Sequence, residues 1–260
     1  EDSNHELWIA TLKGGLNFFN RKAGNFTRFQ HTQNSDRSVS SNSIHTIFED
    51  SKKRLWIGTT ENGLDLFDRK TGQFYNYKND PASKSSLASN AVRAIKESNQ
   101  NELWIGTENG GISIFNTDKK IFQSYQNDEF DNASLASNSV NTICKDTRGN
   151  MWIGMFNAGV DMASMDAGKF SSYRHIPSSN SLSNNKVLCV YEDSRKNIWI
   201  GTDGGGLNLL NPQTGHFTHF LHDKNNKNSI CADYVLSVCE DSKGNIWVGT
   251  WGEGITVFDG

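Results

Sequence analysis

Apolar, β-branched and aromatic residues fall along this chain in short runs, each closed by a polar turn. Ile44–Glu49 (IHTIFE) leads into Asp50-Ser51-Lys52-Lys53, and Leu55–Thr59 (LWIGT) into a Gly/Asn-bearing turn at Thr60–Gly63. Leu64–Phe67 (LDLF) leads into Asp68–Gly72 (DRKTG), and Gln73–Tyr77 completes the set. Runs of this composition bounded by Gly, Asn and Asp predict strands joined by tight turns. No segment keeps a 3.6-residue apolar period, so no helix is expected.

The set recurs. Six of the 7 tryptophans, Trp8, Trp56, Trp104, Trp152, Trp199 and Trp247, are spaced by 48, 48, 48, 47 and 48 residues. A glycine follows each by seven residues: Gly15, Gly63, Gly111, Gly159, Gly206 and Gly254. A phenylalanine follows at plus eighteen (Phe26, Phe74, Phe122, Phe170, Phe217), and three residues on comes another ring (Phe29, Tyr77, Tyr125, Tyr173, Phe220). A β-branched residue precedes each next tryptophan by twelve: Ile44, Val92, Val140, Val187 and Val235. Four short strands in a self-contained meander, with glycine and an aromatic fixed in each unit, are the signature of a propeller blade. The expected fold is therefore all-β: a β-propeller segment of four-stranded antiparallel blades.

The phase also sets the expected boundaries. Residues 1–11 (EDSNHELWIAT) align with residues 49–59 (EDSKKRLWIGT), so the first unit starts beyond its inner strand. The last ends at Phe258-Asp259-Gly260, before an outer strand. Complete blades are expected to begin near 44, 92, 140 and 187, with strand triplets at both ends and the last inner strand near 235. Residues 1–260 read as one propeller segment of a longer protein, either an imperfect six-bladed ring or an open arc.

Composition narrows the function. Aromatic residues make up 11% of the chain, too many rings for a disordered segment. With 26 basic and 29 acidic residues, net −3, and no block of one sign, neither a nucleic-acid surface nor an anionic-membrane surface is expected. No apolar run is long enough to span a bilayer, and no basic-then-apolar leader opens the chain, so any export signal is expected to lie outside it.

The repeat resembles a known family. L/I-W-I/V-G-T, preceded by an E-D-S turn and by S-L-x-S-N-x-V-x-x-I, is similar to the two-component regulator propeller repeat. It stands here as Leu55-Trp56-Ile57-Gly58-Thr59 and Ser86-Leu87-Ala88-Ser89-Asn90-Ala91-Val92 and their equivalents. The resemblance covers essentially the whole chain. In that family the repeats build the extracytoplasmic sensor region of hybrid histidine kinases of Bacteroidetes type, ahead of a membrane span and the kinase. It thus implies a periplasmic sensing segment, an oligosaccharide or other small polar ligand, and a homodimer formed through the parent sensor. The fourth repeat departs from the pattern. Met155 replaces the threonine, and Asp161-Met162-Ala163-Ser164-Met165 replaces the LDLFD-like strand.

Residues that recur serve the scaffold, so recognition is expected where the repeats differ. Each phased tryptophan after Trp8, which has Ala10 instead, shares its strand face with the glycine two residues on, such as Gly58 or Gly201, which suits one blade fitting against the next. The asparagines two residues before each inner strand (Asn42, Asn90, Asn138, Asn185, then Asp233) suit turn capping. Four residues after the tryptophan the series varies: Leu12, Thr60, Glu108, Phe156, Asp203, Trp251. Trp251 is the one tryptophan out of phase. It and Phe156 are candidate aromatic platforms, with Glu108 and Asp203 as hydroxyl acceptors. A second variable series follows the β-branched residue: His45, Arg93, Asn141, Leu188, Leu236. His45, Arg93 and Asn141 are candidate ligand contacts there, and an Arg fork suits uronate or sulfate.

Catalytic and metal readings find little footing. His216, His219 and His222 would stand roughly 10 Å apart on alternating faces of a strand, too far to share a zinc ion. The turn Asp241-Ser242-Lys243-Gly244-Asn245 is similar to a sialidase Asp-box but recurs in every unit as a hairpin. No nucleophile elbow or Walker-type loop is present, and no cofactor is expected. Cys144, Cys189, Cys231 and Cys239 show no C-x-x-C spacing and read as small apolar fillers within strands. A non-catalytic ligand sensor is the expected function. A protein-interaction scaffold and a polysaccharide-degrading propeller enzyme stay open as alternatives.

Overall fold

Each repeat folds back on itself because its turns carry the residues tight turns need. Gly63 sits at φ 83° and Gly72 at φ 71°, in the left-handed region that side-chain-bearing residues avoid. The computed structural model describes residues 1–35, 37–164 and 170–258. Met165, Asp259 and Gly260, named above in the fourth repeat and at the chain end, lie outside the described residues.

Twenty-two strands form six antiparallel sheets among the described residues, with no helix. The first sheet holds β1 (Leu7–Ala10), β2 (Leu16–Asn20) and β3 (Asn25–Phe29). The second holds β4 (Ile44–Glu49), β5 (Leu55–Thr59), β6 (Leu64–Asp68) and β7 (Gln73–Tyr77). The third holds β8 (Val92–Asn99), β9 (Glu102–Thr107), β10 (Gly111–Asn116) and β11 (Ile121–Tyr125). The fourth holds β12 (Val140–Lys145), β13 (Met151–Met155), β14 (Val160–Ala163) and β15 (Phe170–Tyr173). The fifth holds β16 (Val187–Glu192), β17 (Ile198–Thr202), β18 (Leu207–Asn211) and β19 (His216–Phe220). The sixth holds β20 (Val235–Glu240), β21 (Ile246–Thr250) and β22 (Ile255–Phe258). Every sheet pairs its strands in chain order. The fold is that of propeller blades, complete at the four positions the repeat predicts and three-stranded at the two outer ones.

The chain divides into two compact units, Glu1–Gln126 and Asn127–Gly260, each with three sheets. In the first unit Trp56, Leu103, Phe115 and Phe122 make the core between the second and third sheets. Leu16, Ile57, Phe67 and Phe74 make the one between the first and second. In the second unit Trp152, Ile198, Leu210 and Phe217 join the fourth and fifth sheets, and Trp199, Leu207, Ile246 and Val248 join the fifth and sixth. Each fully buried side chain of this kind contributes about 1.5–3 kcal/mol. The glycine two residues after the tryptophan makes the close approach possible. A Cβ on Gly58 would stand 2.6 Å from Val92 Cγ1, and one on Gly154 2.6 Å from Val187 Cγ1.

Polar groups recur as regularly. The indole N–H of Trp8, Trp56, Trp152, Trp199 and Trp247 donates to the carboxylate six residues earlier (Asp2, Asp50, Asp146, Asp193, Asp241) at 2.8–3.0 Å. The other oxygen of the same aspartate caps its turn, as Asp50 Oδ1 does for the N–H groups of Lys52 and Arg54. The bonds from Trp247 and Asn245 hold the Asp241 carboxyl down at about 2. In the third sheet Ser98 replaces the aspartate, and Trp104 donates to Glu102 instead. Glutamates at the end of inner strands clip the preceding blade. Glu97 accepts from the N–H and hydroxyl of Ser51, Glu192 from those of Thr147, and Glu240 from those of Ser194.

Three scaffold expectations need correction. Trp247 is 40% exposed and Phe26 56% exposed, whereas Trp56, Trp104, Trp152 and Trp199, and Phe74, Phe122 and Phe217, are buried. In the second unit a cavity of about 240 Å³ is bounded by Trp199, Phe220, Ile246 and Phe258. Cys239 is exposed, whereas burial pushes the Cys189 thiol up to about 12.

Candidate functional site

The two variable series meet at one end of each sheet, the end carrying the turn between its second and third strands. The backbone N–H four residues after the tryptophan donates to the carbonyl just before the inner strand. The pairs are Thr60 to Ser43, Glu108 to Ala91, Phe156 to Ser139, Asp203 to Lys186 and Trp251 to Tyr234, at 2.9–3.1 Å. The residue after the first of the inner strand is then squeezed out of register. Ile44 pairs with Thr59 and Thr46 with Gly58, leaving His45 as a one-residue bulge. The same shift isolates Arg93, Asn141, Leu188 and Leu236. A bulge re-aims its side chain away from the ladder's alternation, and bulges concentrate beside functional sites.

In the second unit these positions build a continuous stripe. Phe156 is 47% exposed, and the Lys186 ammonium lies 6.0 Å from its ring centre. Lys186 Nζ is also 3.8 Å from Asp203 Oδ2. Asp203 bridges to Tyr234 at the start of the next inner strand, and Gly204 lies beside the Tyr234 ring. Tyr234 is 51% exposed, and its carbonyl accepts the N–H of Trp251, itself 71% exposed. Three exposed rings thus flank a lysine–aspartate pair. Lys186 and Tyr234 were not singled out in the sequence. Their position, one residue before each inner strand, reads Ser43, Ala91, Ser139, Lys186, Tyr234, and only its last two members carry distinctive chemistry.

The first unit arranges its members differently. Arg93 Nε and Nη2 both donate to Glu108 Oε2, so these two candidates occupy one another. His45 lies in their field. Crowding by surrounding atoms, and then the Arg93 guanidinium, hold its imidazole below the ordinary value, while Glu108 acts in the opposite sense. Asn141, in the second unit, donates its amide to the Val187 carbonyl at 2.8 Å, an inter-blade bond. Of the seven candidates, Phe156, Asp203 and Trp251 therefore share one surface and Arg93, Glu108 and His45 another.

The recurring asparagines cap their loops. Asn90 Oδ1 accepts the N–H of Asn79 at 2.8 Å, and Asp233 Oδ1 that of His222 at 2.7 Å. His219 and His222 each face a backbone carbonyl, Ser181 O and Ile230 O. Among the described residues no group of three or more His, Cys, Asp or Glu is placed to hold a metal ion. Nor is any helix there long and apolar enough to cross a membrane.

Residues 38–61, 86–109, 134–157, 181–204 and 229–252 match a family model described as the two component regulator propeller. The repeats of this chain are two-component regulator propeller repeats. Each matched segment contains one bulge residue and one of the turn residues that meet it. Among solved structures, the chain is similar to the extracellular domain assigned to a hybrid two component system of B. thetaiotaomicron. That likeness has TM-score 0.81 and 26% identity, over 97% of this chain and 31% of that one. A second such domain from the same organism matches at TM-score 0.76 and 23% identity, over 100% of this chain and 34% of that one. The chain therefore spans about a third of the length of these domains. Virginiamycin B lyase of Staphylococcus aureus shares the fold at TM-score 0.68 and 14% identity, over 97% of this chain and 80% of the lyase. No curated protein matches the chain. The regulator propeller repeats thus account for the blades, and the positions at which they differ form the two surfaces described above.

Proposed function

We propose that this chain is a ligand-sensing, non-catalytic segment of the extracytoplasmic part of a hybrid two-component histidine kinase. On this reading both units belong to one propeller segment, in keeping with the repeat phase that runs unbroken through Gln126 and Asn127. The ligand is an oligosaccharide or a similar polar molecule lying along Phe156, Lys186, Asp203, Tyr234 and Trp251. The observation that carries the reading is the exposure of three rings around a lysine–aspartate pair on backbone fixed by inter-strand hydrogen bonds. Ring faces take the apolar faces of pyranoses, and the ion pair offers donors and acceptors to hydroxyls. Binding that differs between two arrangements of the parent dimer would shift the kinase between states.

Calorimetric titration with a panel of neutral and acidic oligosaccharides tests this. At least one member is expected to bind, and Trp251→Ala and Lys186→Ala are each expected to weaken it by about ten-fold, the loss of roughly 1.4 kcal/mol. Absence of binding across the panel, or full affinity in both variants, would overturn the reading. Hydrolysis of any panel member would favour an enzyme instead.

A further inference from the structure

The opposite end of the blades, where the first and second strands turn, carries a cleft unrelated to the aromatic stripe. In the second unit it is bounded by Arg148 from the β12–β13 turn, Arg195 and Lys196 from the β16–β17 turn, and Asn211 and Gln213 at the end of β18. Its volume is about 200 Å³. Among the described residues Arg195 and Lys196 make no ion pair within 4.0 Å. The one acidic partner of Arg148 is Asp146, 3.9 Å away, whose oxygens already accept from Trp152, Asn150 and Arg148 N–H. Asn211 spends its carbonyl oxygen on the N–H groups of Gln213 and Thr214, which leaves its amide as a donor beside the cations.

The repeat supplies the comparison that gives this cluster meaning. The same cleft between the second and third sheets is neutralised internally. There Lys52, in the phase of Arg148, bonds to Asn101 Oδ1 at 2.6 Å and Asp118 Oδ1 at 3.2 Å. In the second unit the phase of Asn101 is occupied by Lys196 and that of Asp118 by Gln213. The counter-charge has been removed and a cation added, in a chain of net charge −3. Two guanidinium forks and an ammonium facing one concavity repel one another, and an anion of two charges relieves that repulsion while accepting their hydrogen bonds.

We propose that this cleft binds a tetrahedral dianion, sulfate or phosphate, either free or carried as an ester on a larger ligand. The test is a titration of the chain at constant ionic strength, followed through the amide and Arg Nε–H resonances of Arg148, Arg195 and Lys196. Inorganic sulfate, inorganic phosphate, a sulfated monosaccharide and chloride form its four arms. Saturable shifts with sulfate or phosphate and none with chloride are expected. Gln213→Asp, which restores the counter-charge found at Asp118, and Arg195→Gln are each expected to weaken binding by about ten-fold. Tighter binding of the sulfated sugar than of the inorganic ion assigns the site to an ester, and equal binding assigns it to the free anion. Shifts that follow chloride equally, or affinity unchanged in both variants, would overturn the proposal. Neither substituted side chain lies in a core, so circular dichroism is expected to match the parent chain.

Discussion

At the scale of single residues, the same residue type is set to opposite purposes in different parts of the repeat. Asp241 accepts four hydrogen bonds at a turn, and its carboxyl is held at about 2. Asp65 and Asp161 lie on third strands with no solvent exposure, and burial pushes their carboxyls above the ordinary range. For Asp65 the bonds from the Ser40 N–H and hydroxyl and from the Asn76 amide offset only part of this. The equivalent positions elsewhere hold Asn17, Ser113, Asn208 and Thr256. The linkage signs differ accordingly. What Asp241 contributes is present above the unfolded carboxylate value of about 3.9 and is lost as pH falls toward 2. What Asp65 contributes is fully present below that value and is lost as pH rises through its raised folded value. Asp65→Asn is therefore expected to raise Tm by a few degrees at pH 7, with the difference vanishing below pH 4. Asp241→Asn is expected to lower Tm at pH 7, with the difference vanishing near pH 2. Thermal unfolding across that pH range checks both signs.

At the scale of the element, a glycine and a glutamate govern how strands and blades join. Gly63 has φ 83°, and a Cβ there would overlap the Tyr77 carbonyl oxygen. Gly63→Ala is expected to destabilise the chain by about 2 kcal/mol or more in urea unfolding, because strain and clash act together. The Ser51–Glu97 clip is a surface pair, and a double-mutant cycle with Ser51→Ala and Glu97→Gln is expected to return a coupling of about 0.5–1 kcal/mol. Most of the blade was legible before any coordinates, because one indole, one glycine and two rings in fixed phase admit few other arrangements. The indole–carboxylate bond was not read from the sequence, where the aspartates six residues before the tryptophans counted only as turn residues. Nor was the register shift at the inner strands, because it depends on how two strands pair and not on the periodicity of either. For that reason the candidates His45 and Arg93 could be named, while the locking of Arg93 onto Glu108 and the contribution of Lys186 and Tyr234 could not. Exposure of Trp247 and Phe26 escaped for a related reason: phase assigns a face, whereas burial needs a covering sheet.

At the scale of the whole molecule, stability follows from contacts between neighbouring sheets, as in other repeat architectures. Trp199 lies in the core shared by the fifth and sixth sheets. Truncating it is expected to act locally within its unit. In hydrogen exchange, Trp199→Ala is expected to strip protection from β16–β22 while β12–β15 keep more of theirs. Uniform loss across all three sheets would show the unit opening as one body. The two ends of the sheets carry different chemistry, aromatic with a lysine–aspartate pair at one and cationic at the other, and the turns at each end vary without touching the shared cores.

The bulge that begins each inner strand has a consequence for how such a protein changes over generations. The bulged residue takes no part in the ladder, so replacing it leaves the flanking pairs intact. The chain already holds His45, Arg93, Asn141, Leu188 and Leu236 at these positions, a cation, a neutral amide and aliphatic groups among them, on one backbone geometry. A new specificity can therefore arise by single substitutions, one blade at a time, without passing through an unfolded ancestor.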